Sequence, residues 1–210
     1  LYCTRIMKKV IFAAFTAALL WFVMFSPWTK DHVNFWITMG FSALVLISMS
    51  YFWSENFKRQ FSFSVKDILI GVGSAVILYG IFYIGDILSK LMFDFAAGQV
   101  ANIYQMKEGE NELYLGLLLI LLVGPAEEIF WRGYIQRSLE PKYGGWTAMI
   151  ATALIYTLVH IWSFNFMLIM SALVCGIFWG LLYKYNKNLV TLIVSHALWD
   201  VSVFVLFPIL

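Results

Sequence analysis

Charge is scarce in this chain. Only 12% of its 210 residues are Asp, Glu, Lys or Arg, against about 25% in an ordinary soluble domain. With 62% hydrophobic and 19% aromatic residues, the apolar surface exceeds what a water-soluble core of this size can hide, so the solvent is lipid. Net charge is +2, which gives no reason to invoke nucleic acid as a partner. Cysteine is nearly missing too. Cys3 and Cys175 lie far apart, and Cys175 sits in an apolar run, so a disulfide framework has no support and both read as small apolar side chains. No repeat or low-complexity segment divides the chain, and residues 1–210 read as one membrane-embedded domain.

What is abundant is long apolar stretches. A spanning helix needs about 20 mostly apolar residues, and candidate spans fall at 10–27, 33–53, 67–85, 113–139, 147–163, 165–183 and 189–207. The expected fold is all-α, a polytopic membrane bundle of about seven transmembrane helices. The one long break, 86–112, carries Asp86, Lys90, Asp94, Lys107, Glu108, Glu110 and Glu112. Its first part, Ile87 to Ala97, reads as an amphipathic interfacial helix, with eight spans as the alternative if it inserts. Lys and Arg mark the cytoplasmic side. Arg5, Lys8 and Lys9 precede the first span; Lys58, Arg59 and Lys66, then Arg137 and Lys142, then Lys184 and Lys187 follow the second, fourth and sixth. The N-terminus is therefore expected inside and the C-terminus outside, in a bacterial cytoplasmic membrane. Met7-Lys8-Lys9 directly precedes the first apolar run, so Met7, or Leu1 from a non-ATG codon, is the expected start. Ser26-Pro27-Trp28 lacks a small-x-small cleavage pattern, so the first segment is expected to be a retained anchor rather than a cleaved signal.

Against this background Glu127 and Glu128 stand out, side by side in Gly-Pro-Ala-Glu-Glu-Ile-Phe-Trp-Arg (124–132). An ionisable side chain near the centre of a spanning helix costs roughly 2.5–3.5 kcal/mol on insertion scales. Pro125 removes a backbone donor and is expected to bend or restart the helix just before the pair. At about 100° per residue the two acids point in different directions. Glu128 and Arg132, four apart, face each other as a helical ion pair. Glu127 has Trp131 at that offset, so its partner must come from another helix. Two of the three histidines also fall at membrane depth: His160 closes Tyr-Thr-Leu-Val-His (156–160), and His196 opens His-Ala-Leu-Trp-Asp (196–200). Counted along the helices, His160 should lie deeper than His196, a mismatch that tilt would have to absorb.

The order Glu-Glu-x-x-x-Arg, then aromatic-x-x-x-His, then His-x-x-x-Asp resembles the CPBP intramembrane proteases (CAAX proteases and bacteriocin-processing enzymes, or Abi family). The resemblance covers about 127–200, within a motif-bearing core of 113–207. Two positions depart from the family pattern: Tyr156 stands where Phe is usual, and Asp200 where Asn is common. The resemblance implies an endopeptidase that cleaves a membrane-associated peptide or CAAX-like protein. Glu127 would be the general base that activates water, assisted by His160; His196 and Asp200 would polarise the carbonyl and hold its oxyanion. Glu128 and Arg132 would be the scaffold that aims Glu127. The residues support this logic independently. An acid without a local charge partner in a low-dielectric site is poised to accept a proton, and imidazoles shuttle protons or donate to an oxyanion.

A competing arrangement makes Glu127, His160 and His196 a zinc set with an open position, although no His-Glu-x-x-His helix is present. Two non-proteolytic readings also remain: a membrane scaffold or bacteriocin self-immunity protein that binds in the same pocket, and a small proton-coupled transporter. The remaining features have plain explanations. Trp28, Trp36, Trp53, Trp146 and Trp162 are expected in interfacial belts. Gly71, Gly73, Gly176 and Gly180 are expected at close helix contacts, and Asn102 and Asn165 in loops.

Overall fold

The computed structural model describes residues 2–209, and side chains from residue 5 onward. The readings on Leu1 and on the Cys3 side chain lie outside the described residues. Eight helices follow one another: α1 (Tyr2–Phe25), α2 (Phe35–Trp53), α3 (Val65–Met92), α4 (Ala96–Gln105), α5 (Glu112–Tyr143), α6 (Gly145–Val159), α7 (Phe166–Asn186) and α8 (Leu189–Val201). Seven of them, all but α4, are long and apolar enough to span a bilayer when α6 and α8 are counted with their terminal turns. The described residues contain no strand. The chain is an integral, multi-pass all-α protein.

Polar residues at the span ends set the boundaries. The side chains of Asn34, Ser64, Asn111, Asn165 and Asn188 each accept a backbone N–H in the first turn of α2, α3, α5, α7 and α8. Each cap satisfies a donor that the helix itself leaves unpaired. Asn165 is therefore a cap that also ties α7 to α4, because its Nδ2 donates to the Gln99 carbonyl at 2.8 Å. Asn102 lies within α4 rather than in a loop.

The third span runs further than expected. Residues 87–92 are the tail of α3, and the short helix that follows, α4, starts at Ala96 instead of Ile87. Lys90 Nζ donates to Asp86 Oδ2 at 2.7 Å one turn away. This pair lets α3 carry two charges past the apolar zone without ending there. At Pro125 the α-helical hydrogen bonding restarts, because an α segment begins at Gly124 with the proline in its first turn. The helix widens into π turns over Leu119–Val123 and Trp131–Gln136, on both sides of Gly124–Phe130. The Gly124 amide reaches back five residues to the Leu119 carbonyl. Widening absorbs the donor that proline lacks.

α5 and α8 are the most deeply enclosed spans, with Trp21, Trp131 and Trp179 among the largest fully buried side chains. Trp36 is also interior at 3% exposure, and its Nε1 donates to the Met106 carbonyl at 2.8 Å. It is not part of an interfacial belt, whereas Trp28 and Trp146 are exposed. Among the glycines, Gly71, Gly176 and Gly180 sit at close contacts but Gly73 faces open space. A Cβ on Gly71 would come within 2.8 Å of the Thr191 carbonyl oxygen and of Val194. Gly71→Ala should therefore destabilise the bundle by about 1–3 kcal/mol. Gly73→Ala should stay within about 0.5 kcal/mol. Unfolding titrations in mixed micelles measure both, and equal losses would contradict the packing described here.

Candidate active site

Helix α5 sends its two adjacent acids to different places, as its periodicity requires. Glu128 is fully buried and Arg132 is 1% exposed. Arg132 Nη1 donates to Glu128 Oε1 at 2.7 Å, the ion pair expected from the i, i+4 spacing. Arg132 Nη2 also donates to the carbonyls of Cys175 and Gly176 at 3.2 and 3.3 Å, which links α5 to α7. The same Glu128 oxygen accepts from His196 Nδ1 at 2.7 Å, which links α5 to α8. Gly124 makes this reach possible. A Cβ there would lie 3.1 Å from the Ala197 backbone, tighter than most such contacts, so glycine eases the close approach of the two helices.

His196 is fixed on three sides. Glu128 holds Nδ1, the Trp179 ring stacks on the imidazole with centroids 3.7 Å apart, and Nε2 lies 3.5 Å from Asp200 Oδ2. His196 and Asp200 thus share a face as their spacing requires, but the short contact goes to Glu128. Trp179 is itself anchored, with Nε1 donating to Ser195 Oγ at 3.1 Å.

Among the described residues Glu127 makes no ion pair. Its Oε2 accepts the Tyr156 hydroxyl at 2.9 Å. The partner from another helix exists, but it is a neutral phenol one turn before His160. His160 is engaged elsewhere: Trp21 Nε1 donates to Nε2 at 3.0 Å, and Nδ1 donates to the Tyr156 carbonyl at 2.8 Å. In this arrangement His160 does not hydrogen-bond Glu127.

These groups nonetheless meet in one place. A cavity of about 580 Å³ is lined by Glu127, Tyr156, His160, Cys175, His196 and Asp200. The rest of its wall is largely Phe, Met, Leu and Ile from α2, α3, α4, α7 and α8. The depth mismatch counted along the sequence does not separate the two histidines. Among the described residues, no three His, Cys, Asp or Glu side chains stand close enough to hold a metal ion. Both nitrogens of His160 and Nδ1 of His196 already have partners. A zinc set of Glu127, His160 and His196 does not fit this geometry.

Residues 109–202 match a family model described as type II CAAX prenyl endopeptidase, Rce1-like. That stretch, a little under half of the chain, is similar to the CAAX proteases of the CPBP family. It takes in all three motifs, from Glu127 to Asp200, and the family is one of membrane endopeptidases. No curated protein and no solved structure matches the chain. Three side chains around the CPBP motifs escaped sequence reasoning. Tyr156 was visible only as an aromatic replacing Phe, with no sign that its hydroxyl would find Glu127. Trp21 and Trp179 carried no signal, because an aromatic in an apolar span reads as packing. Trp21 lies outside the matched stretch, so α1 contributes directly to the site.

Proposed function

We propose that this chain is an intramembrane endopeptidase that hydrolyses a peptide bond of a membrane-associated peptide or CAAX-like prenylated protein. The observation that carries the reading is the pairing of Glu127 with a neutral hydroxyl, in a cavity that also takes in His196 and Asp200. One carboxylate oxygen is held and the other is left for water.

In the proposed reaction Glu127 takes a proton from water as the hydroxide oxygen bonds to the scissile carbonyl carbon. The carbonyl oxygen gains the electron pair and becomes an oxyanion. His196, doubly protonated and held by Glu128 at Nδ1, donates Nε2–H to that oxyanion; Asp200 stabilises the imidazolium. Collapse breaks the C–N bond, and Glu127 returns its proton to the leaving amine. Glu128 and Arg132 fix the orientation of His196 and dock α5 on α7. His160 braces the Tyr156 turn and forms cavity wall; it becomes a proton carrier only when Trp21 releases Nε2. The largely apolar wall suits a lipid-linked or apolar substrate segment. The chain acts as one domain, with its N-terminus on the cytoplasmic side.

The test uses the purified protein in proteoliposomes with a farnesylated, internally quenched CAAX-type peptide. Cleavage at one bond is expected. Because the donor set does not suit zinc, treatment with 1,10-phenanthroline should change the rate by less than about twofold. Lack of cleavage of this and of a non-prenylated membrane peptide would defeat the reading, and loss of activity restored by added zinc would reinstate the metal mechanism.

A further inference from the structure

Glu127 and Glu128 are chemically identical neighbours, yet only Glu128 takes the guanidinium of Arg132. Helical periodicity sets that division, since Arg132 stands four residues on from Glu128 but five from Glu127, and Tyr156 meets both groups. The face of its ring lies against that guanidinium, with Cζ 5.3 Å from the centroid, a favourable contact for a cation. Trp131 and His160 meet the ring edge-on, at centroid distances of 5.3 and 5.1 Å. Between them these neighbours clamp the ring, and the clamp delivers the hydroxyl to Glu127 Oε2 at 2.9 Å. Among the described residues no other hydrogen bond reaches the Glu127 carboxylate. The tyrosine therefore shows its π-face to the cation and its O–H to the acid.

We propose that Tyr156 is a positioning residue that keeps Glu127 available as a base. Its hydroxyl pins Oε2 so that Oε1 turns to the cavity, while its ring packs on the guanidinium that Glu128 binds. Where the CPBP motif usually opens with Phe, this chain supplies a hydroxyl, so its general base is oriented by a group that a phenylalanine cannot provide. The inference rests on the reading of Glu127 as the general base.

Tyr156→Phe isolates the hydroxyl, because it keeps the ring and its contacts with Arg132, Trp131 and His160. With the farnesylated CAAX-type peptide, kcat is expected to fall about 10–100-fold, the size of a misplacement of a reacting group by a fraction of an ångström to an ångström. KM should stay within about twofold, because the ground-state cavity is unchanged. A second measurement is independent of turnover: the infrared carboxyl band of Glu127, isolated by subtracting the spectrum of Glu127→Gln, should shift in Tyr156→Phe. A purely structural role would lower the thermal midpoint and leave that band in place. Wild-type kcat in the variant, or an unmoved band, overturns the inference while hydrolysis by the wild type stands. If the wild type cleaves nothing, the hydrolytic reading is what fails. The band then decides the contact alone, with a shift supporting it and no shift rejecting it.

Discussion

Glu127→Gln lowers peptide cleavage by about 10²–10⁴-fold, the range for removal of a positioned general base, and leaves the fold intact. Glutamine has the shape of the acid, and its amide oxygen can still accept the Tyr156 hydroxyl that now reaches Oε2. What it cannot do is take the proton of water. Because the loss lies in proton transfer and not in the cavity wall, KM should move far less than kcat. The contrast with its neighbour is the sharper test. Glu128 bonds to Arg132 and His196 and does not line the cavity, so its replacement should act through folding and through the aim of His196. Cleavage kinetics on folded variants, with the elution profile as the check on integrity, make the comparison. A Glu127→Gln protein that cleaves at more than about a tenth of the wild-type rate would remove Glu127 from the chemistry.

The second large effect is on stability. Replacing Glu128 alone by Leu should cost about 3–5 kcal/mol, the loss seen when one partner of a buried ion pair is deleted. Arg132 would remain 1% exposed, with its two carbonyl contacts on α7 but no carboxylate. His196 would lose its Nδ1 acceptor at the same time. The double replacement Glu128→Leu with Arg132→Met should cost less than the two single changes added together, because it leaves no uncompensated cation. Arg132→Lys is not a mild substitute, since one ammonium cannot span both the carboxylate and the Cys175 and Gly176 carbonyls. Denaturant titrations in mixed micelles measure all four proteins. A loss below about 1 kcal/mol for Glu128→Leu would mean that the pair is not the structural hub drawn here.

Several features were legible in sequence because they depend on one helix at a time. The seven spans follow from apolar run lengths, and the Glu128–Arg132 and His196–Asp200 alignments follow from the turn of the α-helix. The position of α4, the interior place of Trp36 and the open surroundings of Gly73 were misread. In each of these cases the neighbour that decides the outcome lies on a different element. The π turns of α5 also needed the neighbouring helices: proline marks a missing donor and the restart at Gly124, but the widening on either side depends on what the helix packs against.

By itself, then, the amino-acid order determined the solvent, the number of spans and which side chains stack along each one, since hydropathy and helical repeat are local properties. Only the packed bundle decided who bonds to whom: Tyr156 rather than a charged group on Glu127, Glu128 on His196, and Trp21 on His160. Those contacts depend on the rotation and separation of different helices, set at points such as Gly124 against Ala197. No one-dimensional pattern encodes that distance.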